Sequence, residues 1–243
     1  MAVQDTLPDP NFKRRFDGED HTSGTTGPGF ASVKLTNDQR VLSTRTNSQR
    51  LISRAIAGQK WKIDINYHPM TRDEFEPVYA FLLAKQGPMN SFFVSLPQYR
   101  TVQNSAWETV LSTNNNVISV AGAVAAGKSE IIIDSANPTT IGADSKYPMP
   151  GELFTFTDSA DATHKKAYMI TTVEHADGHQ GSQPSSDTIR INFSPPLAKN
   201  VANDAVVNFK NPKIKVIMPQ PLSTYTLNKD NLYSFSLKLE EYL

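Results

Sequence analysis

Between Trp61 and Pro97 the chain changes its hydrophobic period twice, and no other stretch limits the fold as tightly. Trp61, Ile63, Ile65 and Tyr67 alternate with Lys62, Asp64, Asn66 and His68, the period of a half-buried strand. Pro69 stops that strand. Thr71 and Glu74 then have the spacing of a capping box, in which the threonine hydroxyl accepts from the Glu74 N–H and the glutamate reaches back. Met70 and Phe75 occupy the two positions of a hydrophobic staple. Phe75, Val78, Tyr79, Leu82 and Gln86 share one helical face, widened by Phe81 and Leu83, and Lys85 suits the negative helix end. Gly87 is a natural left-handed stop and Pro88 forbids continuation. Pro77 is the dissonant residue: it removes the bond to Asp73 and is expected to bend or loosen the helix start. SFFVSLP resumes as a strand, so the stretch predicts strand, helix, strand.

With 243 residues, 38% hydrophobic and 20% charged, the chain is long and apolar enough to bury a core in one large or two modest domains. Acidic and basic residues balance at 24 each, so no overall field draws the chain to nucleic acid or a membrane surface. The absence of cysteine excludes disulfides and thiolate metal sites and suits a reducing cytoplasm. No apolar run approaches the roughly 20 residues of a membrane span. The basic residues near the N-terminus are followed by no apolar segment, so no secretory signal is expected.

Residues 1–32 are polar and punctuated by Pro8, Pro10, Asp17-Gly18, Gly24 and Gly27-Pro28-Gly29. They are read either as a disordered tail or as an extended arm that orders against a partner. A β ribbon follows, with Arg45, Arg50 and Arg54 spaced through it. Leu51, Ser53 and Ala55 face one way and Ile52, Arg54 and Ile56 the other, so both faces are mixed. Such a ribbon is either an ordinary solvated hairpin or a basic surface at a subunit contact or near a polyanion. From Gln98 to about Phe209 short β runs recur between turn clusters (NVISV, EIIID, ELFTF, KAYMITTVE, DTIRINF, AVVNF), with no helical periodicity of useful length. The ending repeats the alternation seen from Trp61 to Tyr67, since Tyr233, Phe235, Leu237 and Leu239 alternate with polar residues as one long amphipathic strand. The expected fold is therefore mainly β with one prominent α-helix (α+β). It has a discontinuous β core with a packed helix, residues 33–97 with 210–243, and a small β-barrel or sandwich inserted at 98–209.

Motifs for chemistry are few. Gly122–Ser129, GAVAAGKS, fits the phosphate-cradling pattern, with Lys128 for phosphate and Ser129 for magnesium. That loop must open a helix, whereas EIIID is a β-branched run. His175 and His179 have i,i+4 spacing, but Asp177-Gly178 between them signals a turn. There is no GxSxG elbow, and carboxylate pairs such as Asp73-Glu74 and Glu240-Glu241 fall at predicted cap or surface positions. No catalytic, cofactor or metal residue is assigned, and the chain is read as a non-enzyme.

With sites failing, the pattern itself becomes informative. The arginine ribbon, then Trp61, Pro69-Met70-Thr71, Glu74-Phe75, Pro77, Ala80-Phe81-Leu82, Gly87, Phe92-Phe93 and Pro97, resembles the distal tail or baseplate-hub ring proteins of tailed bacteriophages. In those a strand beginning with Trp leads to a PPMT-like turn, and His68 stands here for its first proline. GELFTF, KAYMITTVEHADG, INFSPPL and the ending YSFSLKLEEYL are similar more loosely. The resemblance implies a structural virion protein of the tail tip, assembled in the bacterial cytoplasm. It implies six copies in a ring joining the tail-tube protein to the central hub protein. Sheath or baseplate wedge proteins are further neighbours, and genome DNA only passes through. It brings no catalytic residues and no cofactor. Arg45, Arg50, Arg54 and Trp61 are then the candidate subunit-interface residues. The alternatives are a tube-initiating or tail-completion protein, and a module binding host glycan through exposed aromatics of the 98–209 region, for which Trp107 and Tyr147 are the candidates. A wall-degrading tail hydrolase is the third, and needs carboxylates or histidines converging in one cleft.

Overall fold

The computed structural model describes residues 5–10, 13–14, 20–21, 25–56, 58–113, 117–135, 141, 145–175, 188–221 and 224–242. The longer strands begin with β1 (Phe30–Asp38), β2 (Val41–Arg45), β3 (Leu51–Ala55), β4 (Lys60–Tyr67) and β5 (Phe92–Ser95), with helix α1 (Arg72–Lys85) between the last two. Helix α2 (Ser105–Ser112) precedes β6 (Ile118–Val120), β7 (Glu130–Ser135), β8 (Leu153–Thr157), β9 (Ala167–Glu174), β10 (Thr188–Ser194) and β11 (Val206–Asn208). β12 (Lys213–Ile217) and β13 (Ser236–Glu241) close the chain. These elements form two compact units, one from residues 1–94 with 215–243 and one from 95–214.

The first unit is built on a five-stranded sheet in the order β1-β4-β13-β12-β5. The two most regular amphipathic strands of the sequence are direct partners in it. β13 lies antiparallel to β4 with Leu237 opposite Ile65 and Leu239 opposite Ile63, so the apolar side chains of both fall on one face. Trp61, Ile63, Ile65 and Tyr67 are all buried there. α1 buries Phe75, Val78, Phe81 and Leu82, as its stripe predicts, while Leu83 stays exposed. Phe81 meets Phe92 edge-on at 5.4 Å and Phe75 stacks on Tyr233 at 4.5 Å.

Local signals at the ends of α1 act nearly as read. The Glu74 carboxylate accepts the Thr71 N–H at 2.9 Å in a capping box, and both staple residues, Met70 and Phe75, are buried. The left-handed turn falls one residue early, on Gln86 with φ 54°, and Gly87 continues it at φ 67°. Pro77 sits inside a helix that runs unbroken from Arg72 to Lys85. The terminal strand is shorter than expected. It breaks at Phe235, whose carbonyl accepts the Tyr67 N–H at 3.2 Å, and Tyr233 pairs instead with Met70.

The second unit is a closed barrel in the order β7-β10-β9-β8-β11-β6. β10 shows why it closes on a dry core: Ile189, Ile191 and Phe193 are buried, and Thr188, Arg190, Asn192 and Ser194 between them are partly exposed. Phe154 is the hub of the interior, with Phe156, Tyr168, Phe193 and Phe209 all within 5.7 Å between ring centroids. The fold is thus mainly β, but with two α-helices where one was expected. α2 escapes a periodicity search because it has eight residues and buries only Trp107 and Val110. The signal that marks it is its cap, since Asn104 Oδ1 accepts the Ala106 N–H at 3.0 Å.

Candidate interaction surface

Among the described residues no cleft gathers reactive groups. Among the described residues no cluster of three or more His, Asp or Glu is placed to hold a metal ion. The Gly122–Ser129 loop joins β6 to β7 and lies along the Leu197–Val201 segment: Gly127 N–H donates to the Leu197 carbonyl, and Val124 and Val201 exchange two bonds. Ser129 runs into strand, so no helix N-terminus faces the loop. His175 stacks on Tyr147 at 3.7 Å, and His179 lies outside the described residues. Of the acidic pairs, Glu240 binds Lys60 at 2.7 Å, whereas Glu241, expected at the surface, is buried and accepts the Trp61 N–H at 3.2 Å.

The feature that needs explaining is the β2–β3 hairpin. It forms a separate two-stranded sheet, paired from Val41–Ala55 to Arg45–Leu51. Its loop is closed by Thr46 N–H to the Arg50 carbonyl at 3.0 Å and by Gln49 N–H to the Thr46 carbonyl at 2.9 Å, with Gln49 left-handed at φ 63°. Cross-strand pairs share a face, so Val41 and Leu51 lie on one side and Leu42 and Ile52 on the other. All four are exposed, Leu42 at 63% and Leu51 at 58%. A two-stranded ribbon is marginal in water on its own, and this one shows apolar side chains on both faces.

Its charge is equally one-sided. Residues 39–58 hold four arginines and no acid, leaving 20 basic against 24 acidic residues elsewhere, a net of −4. Arg45 sits opposite Leu51, Arg54 opposite Leu42, and Arg50 immediately precedes the return strand, its N–H donating to Thr46 Oγ1 at 3.2 Å. These three candidates thus share one hairpin, with Arg45 on the face of Leu51 and Arg54 on the opposite face with Leu42. Trp61 is not with them; it is a core residue of β4, and burial leaves its ring no face for a neighbouring subunit.

Residues 18–99, which contain this hairpin, β4 and α1, match the family model described as the distal tail protein pb9, A domain, N-terminal. This stretch is similar to a distal-tail A domain. No curated protein matches the chain. The A-domain match spans the strand–helix–strand segment and the arginine hairpin, and ends before the barrel.

The barrel holds the two aromatics considered for glycan. Trp107 is 0% exposed and meets Phe209 edge-on at 5.5 Å, because α2 turns it into the barrel core. It presents no ring to solvent, which corrects the expectation of an exposed platform there. Tyr147 is partly buried against the same core. A hollow of about 530 Å³ is lined by Asp158, Asp161, Lys199 and Asn200 among others. Its carboxylates serve the loops: Asp158 accepts from Ala160 and Ala202 N–H, and Asp161 from Thr163 N–H and Lys199 at 3.1 Å. The Thr163 hydroxyl, which also donates to Asp161, together with the Thr163 N–H and Lys199 holds the Asp161 carboxyl down at about 2. Behind them His164 is buried, its Nε2 2.7 Å from the Tyr168 hydroxyl, and burial pushes its pKa below the usual imidazole value.

Proposed function

We propose that the chain is a non-enzymatic structural subunit of a phage tail, placed at the tail tip as one copy of a ring between the tail tube and the central hub. The observation that carries this reading is the β2–β3 hairpin: apolar on both faces, basic throughout, and inside the segment that matches a distal-tail A domain. A ribbon of that kind gains by packing between other surfaces. The rest of the chain carries the opposite net charge, so a second copy is an electrostatically suitable acceptor. A patch that meets a different patch on the next copy makes a head-to-tail contact, which closes as a ring when the rotation permits. Six copies, the tube and hub partners, and assembly in the bacterial cytoplasm follow from the resemblance to phage distal tail proteins. The barrel of residues 95–214 is proposed as the inserted domain of that subunit.

Two measurements test this. Light scattering on the purified full chain is expected to show a hexamer, and symmetry-resolved electron microscopy of the particle a six-fold ring at the tip. A chain that stays monomeric at all concentrations, with no such ring in isolated tails, overturns the proposal.

A further inference from the structure

One edge of the five-stranded sheet is covered by the chain's own N-terminal segment. Thr6 pairs in parallel with Phe93 on β5: Leu7 N–H donates to the Phe93 carbonyl at 2.8 Å, and Phe93 N–H donates to the Asp5 carbonyl at 2.6 Å. Thr6 is fully buried and Leu7 is 1% exposed, so the segment occupies a fitted surface. Gly27 secures its far end, its N–H donating to the Asp9 carbonyl at 3.0 Å. A Cβ on Gly27 would lie 2.5 Å from the Asp9 nitrogen and the Pro8 carbonyl carbon, so only glycine lets the two backbones meet.

The closed arrangement has a polar flaw. The Tyr67 hydroxyl is buried and has no hydrogen-bond partner, and burial together with the nearby Asp9 carboxylate drives its ionisation far up. A buried hydroxyl left unpaired is destabilising, and the Asp9 carboxylate of the segment adds to the charge it faces. Among the described residues its backbone pairing to β5 is centred on one position, Phe93, and between the segment and Gly27 the described strands, Lys13–Arg14, Asp20–His21 and Thr25–Thr26, pair over only two residues each.

We propose that residues 5–10 are a releasable strap, and that the β5 edge beneath it is a strand-accepting surface whose occupant in the assembly is the same segment of a second copy. The edge fits this segment from any copy equally well, so exchange between neighbours keeps every contact and adds a tie between subunits. The inference rests on the ring reading above and names how neighbouring copies are linked.

The chain's lack of cysteine makes the test direct. Thr6→Cys and Phe93→Cys are made as separate single variants, one carrying an affinity tag, and as a double variant, each checked for a native thermal transition. The double variant, oxidised as a dilute monomer, is expected to close a disulfide within the chain; failure to do so while folded overturns the strap. The two single variants, mixed during assembly and oxidised, are expected to give a tagged–untagged disulfide dimer. If the mixture assembles at native size without that dimer, the exchange is overturned and the ring stands. If no oligomer forms under any condition, the ring reading fails with it. As a second lever, Gly27→Ala is expected to speed proteolytic removal of the N-terminal segment; unchanged cleavage argues against the latch.

Discussion

At the scale of residues, the two tryptophans and three arginines show how composition misleads until burial is known. Trp61 and Trp107 are both core side chains, one in each unit. Trp61→Ala is expected to cost about 3–5 kcal/mol of stability, the range for removing a buried aromatic, read from denaturant unfolding of the single chain. Arg45→Ala, Arg50→Ala and Arg54→Ala are surface changes and should each stay within about 0.5 kcal/mol in the same measurement. His164 supplies a pH test. Its folded pKa lies below the ordinary value near 6.5, so the folded barrel resists protonation. Its stabilising share is complete above that value and is lost as pH falls below it. The thermal midpoint is expected to drop between pH 7.5 and 5.5, and His164→Gln should flatten that drop; an unchanged slope would assign it to other groups.

At the scale of elements, legibility followed the range of the signal. The capping box, staple and apolar stripe of α1 act within a few residues of one another, and they placed the helix to within a residue of Arg72–Lys85. β4 was legible for the same reason, its alternation being uninterrupted from Trp61 to Tyr67. What escaped was set by distant partners. The last strand breaks at Phe235 because Tyr233 is drawn to Met70 across the sheet, an attraction no local period encodes. α2 was missed because its buried face is two residues, and Trp107 was misplaced with it. The hairpin was legible as two mixed faces, though its exposure on both was not, since that depends on what fails to cover it. For this element the double variant Leu42→Ser/Ile52→Ser is expected to leave the single chain's thermal midpoint unchanged and to reduce self-association in sedimentation velocity. Undiminished association would remove the hairpin from the contact.

At the scale of the whole molecule, the two units differ in how they are closed. The first depends on residues far apart in sequence, since β13 must return to pair with β4. The second is continuous, and its two ends are tied: the Ser95 hydroxyl hydrogen-bonds the Asn211 side chain, while Leu96 is buried. A fragment of residues 95–214 is therefore expected to fold alone with one cooperative transition, checked by circular dichroism and amide exchange; a fragment that exchanges fully within the dead time would show that the barrel needs the rest of the chain. That tie between neighbouring ends has a consequence for descent as well as for folding. Because the polypeptide leaves and resumes its main path at almost one point, the barrel behaves as a cassette. Such a cassette can be lost, lengthened or replaced through a single crossover on each side, while the sheet and helix that precede and follow it keep their sequence.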